Sequence, residues 1–206
     1  MVDFGGVLTT NLGDAFRAFC EREGVDHERV TEALRAAYGD IDPESLVARF
    51  ETGRMDRGEF ERQLAVRLSD GLDRSLEPED LIARMLADLR LDTVMIDAVR
   101  AARHAGIRTA LLSNSWGVEY YPRDLLRELF DQVVISGEVG LRKPDAEVFF
   151  LACRRVGLPA EACVFVDDHD GNVEAARAVG MRAVLHEEGS RTVTELESLF
   201  GVPLGG

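Results

Sequence analysis

The chain has 206 residues, 46% of them hydrophobic, enough to bury a sizeable core as one domain with an insertion or as two small domains. Its 38 acidic residues outweigh 24 basic ones for a formal net charge of −14, which leaves no basic face for nucleic acid and suits solubility and a bound divalent cation. No run approaches the roughly 20 apolar residues of a membrane span and the N-terminus lacks a basic-then-apolar signal, so the expectation is a soluble, cytoplasmic protein with no membrane partner.

Only Met1 and Val2 precede Asp3, where an ordinary strand has ~5 residues, so the first strand is either stunted or begins upstream. From about residue 13 to 91 the patterns are amphipathic and helical. DAFRAFCERE puts Phe16, Phe19 and Cys20 on one face; DRGEFERQLAVRL opens with Asp56-x-x-Glu59, similar to a capping box, and stacks Phe60, Leu64 and Leu68; PEDLIARMLADL stacks Leu81, Ile82, Met85 and Leu89. These are core positions of an all-helical insertion.

The texture changes at Asp92. DTVMIDAVRAARHAG reads as a helix stopped by Gly106, PDAEVFFLACRRVG as one closed by Gly157, and NVEAARAVG as one closed by Gly180. Between them, 107–112, 132–135, 162–166 and 182–185 are short apolar runs that read as buried parallel strands. The alternation predicts a doubly wound α/β core, residues 1–12 and 92–206, with a helical insertion at 13–91 lying over the carboxyl ends of the strands, where open α/β sheets bind ligands. Cys20, Cys153 and Cys163 have no C-x-x-C spacing and read as small core hydrophobes.

Parallel strands share their carboxyl edge, so Asp3, Ser113-Asn114 and Asp167-Asp168 are expected to emerge together, with Lys143 entering from the segment after the third run. Lys143 is the one lysine beside 23 arginines, and an ammonium is a compact point charge where guanidinium is a broad fork. Taken singly, each motif has a plain reading as a turn, a cap or an acidic loop. Together they suit phosphoryl transfer: Asp3 and Asp168 as hard ligands for a divalent metal, Ser113 and Asn114 for phosphate oxygens, Lys143 to neutralise charge.

DFGGVLT, LLSNS, the lysine of LRKPDAEVF and VFVDDHDGNVEAARAVGM resemble, in order, the four motifs of the haloacid dehalogenase superfamily. The helical stretch is similar to the small cap of the subgroup that includes the phosphatase domain of soluble epoxide hydrolase. The resemblance implies a Mg²⁺-dependent phosphatase acting on a small phosphorylated metabolite through an aspartyl-phosphate. It implies Asp3 as nucleophile and metal ligand, the Gly5 carbonyl and Asp168 as further ligands, and Asp167 as a supporting carboxylate. Ser113, Asn114 and Lys143 become phosphate-handling groups, and Asn172 orients this loop or the substrate.

The departure is Gly5, where most phosphatases of that superfamily carry a second aspartate as acid and base, a loss worth ~10²–10⁴ in rate. Three outcomes stay open. Thr9, Thr10, Asn11 or His169 substitutes; the substrate carries a good leaving group, as anomeric, acyl and aryl phosphates do; or the chain is a catalytically weak member that binds a ligand or regulates. A metal-free 2-haloacid dehalogenase is disfavoured by the Asp167-Asp168 pair. Trp116 reads as packing or as a contact to the lid.

Overall fold

Val2 is the centre of the sheet although it forms a single rung. Its N–H donates to the Ala110 carbonyl and its carbonyl accepts from Leu112, while on the other side Val166 N–H donates to Met1 O and Asp3 N–H to Val166 O. That rung joins β1 (Ala110–Ser113), paired in parallel with β2 (Gln132–Ile135), to β3 (Val164–Asp167), paired in parallel with β4 (Arg182–Leu185). The order across the sheet is β2, β1, Val2, β3, β4. The computed structural model describes residues 1–38, 42–70, 72 and 75–205; parts of the expected insertion at 39–41, 71 and 73–74, together with Gly206, lie outside the described residues.

Alternation along the strands produces two faces. Leu111, Ile135, Val166 and Val184 join one cluster with Met95, Val99, Leu126 and Leu196. These last belong to α6 (Thr93–His104), α7 (Arg123–Leu129) and α11 (Gly189–Phe200). Leu112, Val134 and Phe165 face the opposite way, onto Phe149, Ala152 and Ala176. Those sit on α9 (Ala146–Val156) and α10 (Asp170–Ala178), and a one-turn α8 (Ser136–Val139) follows β2. The sheet is thus covered by helices on both faces, as expected of a doubly wound core.

The helical stretch contains α1 (Leu12–Glu23), α2 (His27–Tyr38), α3 (Leu46–Glu51), α4 (Arg57–Ser69) and α5 (Leu81–Met85). They gather on their own apolar cluster, including Phe19, Phe50, Phe60, Leu64, Leu81 and Met85. Asp56 caps α4 by accepting from Glu59 N–H, as the sequence anticipates. The two chain passages linking this layer to the core pair antiparallel through Thr9 and Leu91, with Thr10 N–H donating to Arg90 O and Asp92 N–H to Leu8 O.

Three boundaries differ from expectation. Ile107 donates back to Ala102 and closes α6, so β1 starts at Ala110. Ala162 belongs to a 3₁₀ turn, so β3 starts at Val164. Asp80 adopts a left-handed conformation (φ 52°), which breaks the helix anticipated from Pro78 and leaves α5 only five residues.

Candidate active site

Asp3 follows the central rung, so the sheet delivers its carboxylate to the edge where β3 delivers Asp167 and Asp168. One oxygen from each of the three lies within 4.8 Å of the others. Lys143 comes in beside them with its side chain only 1% exposed. Its Nζ lies 2.8 Å from Asp3 Oδ1, donates to Asp167 Oδ2 at 2.6 Å, and sits 5.3 Å from the Phe165 ring centroid. One buried ammonium therefore serves two carboxylates, and the third, Asp168, has no ion pair among the described residues.

The electrostatics follow from that imbalance. Burial pushes the Asp3 carboxyl up, Lys143 pulls it down, Asp167 raises it again, and the net direction is upward. Asp168 is pushed up to about 7, by burial and then by the charges of Asp3 and Asp167. Burial lowers Lys143, but Asp3 and Asp167 outweigh it and hold the ammonium above its usual range. A cluster of hard oxygen donors, crowded and short of positive charge, fits a divalent cation such as Mg²⁺.

Backbone shape packs this cluster. Gly6 has φ +75°, and a Cβ there would meet Asp168 Oδ2 at 2.0 Å, so glycine alone lets the turn lie against the carboxylate. Thr9 Oγ1 accepts from Gly6 N–H and donates to Thr10 O, closing the turn. Asp167 is fully buried, its Oδ1 accepting from His169 N–H and Asn172 Nδ2, so Asn172 and Lys143 hold it from two sides.

The second loop has a division of labour that sequence reasoning did not anticipate. Asn114 Oδ1 accepts from Lys143 N–H and Asn114 Nδ2 donates to Lys143 O, so its amide grips the lysine's own backbone. Its side chain is occupied at both ends, while Ser115 N–H donates to Ser136 Oγ and Gly117 N–H to Ser115 Oγ. The Ser113 hydroxyl lies 2.8 Å from Tyr121 OH, a partner not singled out in the sequence. Of the substitutes considered for the absent acid, Thr9 is committed as described, the Thr10 hydroxyl accepts from Arg90 N–H, and the Asn11 side chain accepts from Gly13 N–H at the start of α1. His169 is exposed. Over Gly5 itself, a Cβ would meet Leu12 Cδ1 at 3.1 Å.

A second polar knot joins the helical layer to the core. Glu51, at the end of α3, lies 3.0 Å from Arg142 Nε, accepts from Trp116 Nε1 at 3.2 Å, and its carbonyl accepts from Ser136 Oγ at 2.6 Å. Burial pushes Glu51 up to about 7 against the pull of Arg142. Trp116 also packs its ring near Phe16 and Phe60 of the helical layer, in keeping with the packing or lid contact anticipated for it.

The chain is 35% identical over 115 residues to acyl-CoA dehydrogenase family member 10 of Mus musculus, covering 54% of this chain and 11% of that protein. It is 30% identical to a sesquiterpene phosphatase of Aspergillus oryzae, covering 74% of this chain and 78% of that one. A HAD family enzyme from Bacteroides thetaiotaomicron, solved with magnesium and inorganic phosphate, superposes with a TM-score of 0.58 at 18% identity over 90% of this chain and 92% of the other, which shows a shared fold. The chain spans between about a tenth and a third of the length of the first curated relatives it matches. Among the described residues no helix is long and apolar enough to cross a membrane. Residues 1–180 match the haloacid dehalogenase-like hydrolase family, and the chain belongs to it.

Proposed function

We propose that the protein is a Mg²⁺-dependent phosphatase of a small phosphorylated metabolite, working through an aspartyl-phosphate on Asp3. The observation that carries this reading is the buried Lys143 ammonium held between Asp3 and Asp167, with Asp168 adding a third carboxylate at the same strand edge. The neighbour solved with magnesium and phosphate and the relative named as a phosphatase support it.

In this reading Asp3, the Gly5 carbonyl and Asp168 would hold the metal, which when bound would supply the positive charge that offsets the phosphate beside a carboxylate. Lys143 screens the nucleophile from Asp167 and faces the phosphoryl oxygens, Ser113 holds those oxygens by turning its hydroxyl from Tyr121, and Asp167 with Asn172 fixes the ammonium. The Asp3 carboxylate attacks phosphorus and the leaving oxygen departs; water then attacks phosphorus and restores Asp3. Gly5 donates no proton to the leaving oxygen, so turnover falls on substrates that need none. We place the protein in the cytoplasm, in keeping with its three buried free cysteines.

The test is hydrolysis of p-nitrophenyl phosphate with Mg²⁺, with EDTA, and by Asp3→Asn. The expected result is activity that EDTA abolishes and that the variant lowers by at least ~10⁴-fold. Metal-bound, folded protein inert toward this ester and toward acetyl phosphate would replace the phosphatase reading with a ligand-binding or regulatory one.

A further inference from the structure

Between the helical layer and the strand edge lies a cleft of about 330 Å³ whose floor is formed by Phe4, Gly5, Ser113 and Asn114. It is large enough for one ring system. Leu12, Leu86, Leu89, Trp116 and Tyr121 supply much of its wall, and the Phe4 and Tyr121 rings stand 5.0 Å apart.

The polar groups of this cleft are largely turned to other partners. Thr9 closes the Gly6 turn, Asn114 grips the Lys143 backbone, Ser113 pairs with Tyr121, and the Trp116 indole donates to Glu51. Arg90, at the rim, donates to the carbonyls of Ala87 and Leu89. The Tyr120 hydroxyl alone among the lining side chains is buried without a hydrogen-bond partner in the described residues. A sugar placed here would set its hydroxyls against leucine and aromatic carbon with little to receive them, which is unfavourable. An apolar body fits.

The same cleft bears on Gly5. A Cβ at position 5 would meet Leu12 Cδ1 at 3.1 Å, so a side chain there would have to displace a leucine tip of the cleft wall, and the chain carries no proton donor at that place. Of the leaving groups that depart without a proton, an aromatic ring bearing a weakly basic oxygen fits a compact cleft walled by leucine and aromatic carbon.

We propose that the substrate is an aryl phosphate monoester, its ring in the cleft and its phosphate at Asp3; this rests on the phosphatase reading above. An Asp3 oxygen attacks phosphorus, the phosphorus–oxygen bond to the ring breaks, and the aryloxide leaves with the electron pair. Water then adds to phosphorus, the bond to Asp3 breaks, and the water's two hydrogens leave on inorganic phosphate, which exchanges a proton with the aryloxide through solvent.

The experiment compares kcat/KM for phenyl phosphates of graded phenol acidity, 1-naphthyl phosphate, acetyl phosphate, glucose 1-phosphate and hexyl phosphate, all with Mg²⁺. Expected are a rise of kcat/KM with phenol acidity, at least ~100-fold preference for naphthyl phosphate over glucose 1-phosphate and hexyl phosphate, and a flatter acidity dependence in Gly5→Asp combined with Leu12→Ala. Leu89→Gln should raise KM for naphthyl phosphate about 10-fold while leaving acetyl phosphate unchanged, because acetyl phosphate has no ring to seat. Glucose 1-phosphate turned over as well as the aryl esters, or Leu89→Gln affecting both phosphates equally, overturns the substrate class while the phosphatase reading stands. Loss of Asp3-dependent turnover on every compound, acetyl phosphate included, would sink the phosphatase reading itself.

Discussion

Two buried ionic clusters lie close together in this molecule, and they are built on opposite accounts of charge. At the junction of the helical layer and the core, Glu51 faces Arg142, one carboxyl to one guanidinium, braced by Trp116 and Ser136. At the strand edge, the single ammonium of Lys143 faces Asp3 and Asp167, and Asp168 adds a third carboxylate with no counter-charge among the described residues. In the first cluster each charge has a counter-charge, although burial still lifts Glu51 to about 7. An unbalanced cluster is stable only if something positive joins it or if protons are retained; Asp168 is pushed up to about 7 by burial first and by the charges of Asp3 and Asp167 next. Arg142 and Lys143 are adjacent in sequence, so a single segment supplies the cation of both clusters.

Lys143→Met leaves Asp3 and Asp167 buried without a counter-charge, and the expected loss is about 3–5 kcal/mol in urea denaturation in EDTA, together with loss of activity. If stability were unchanged, the ammonium would not be what holds the cluster.

Glu51→Ala is expected to cost about 3 kcal/mol by removing one partner of the balanced pair, with Mg²⁺ binding retained. Glu51→Gln sharpens the point through pH. Because the folded protein lifts this carboxyl from 4.5 to about 7, it binds the proton more tightly than the unfolded chain. The stability the group contributes is therefore fully present below about pH 4.5 and is lost as pH rises through about 7. Thermal melts from pH 4.5 to 7.5 should show a shallower decline in Glu51→Gln than in the parent chain; an identical slope would contradict the buried carboxyl's titration.

The smallest expected effect is at Gly53, where φ is +71° and a Cβ would meet Gly137 O at 2.7 Å. Gly53→Ala strains the backbone and pushes the helical layer from the core. About 1–3 kcal/mol of destabilisation is expected in urea denaturation, and an unchanged midpoint would show that the contact yields easily.

The sheet and the site loops were legible because their signals are local. Apolar runs mark strands, glycines mark helix ends, and parallel strands must deliver Asp3, Ser113 and Asp167-Asp168 to one edge. The single lysine stood out by composition alone. The Glu51–Arg142 pair was not legible, since both residues are ordinary types in an arginine- and glutamate-rich chain and lie far apart in sequence. Asn114 shows a subtler limit: its type and position suit phosphate, yet both ends of its amide bind the Lys143 peptide, a role visible only once two loops are in contact. Asp80 broke the anticipated first turn of α5 because its left-handed backbone cannot continue a right-handed helix, whatever the apolar pattern around it.

The most direct test of the central claim is Mg²⁺ titration followed by thermal unfolding, for the parent chain, Asp168→Asn and Glu51→Gln. An unbalanced cluster built for a cation predicts stabilisation of about 2.7 kcal/mol at a metal concentration 100 times the parent's Kd, retained in Glu51→Gln and lost in Asp168→Asn. Equal stabilisation of the parent and Asp168→Asn, or none in either, would contradict it.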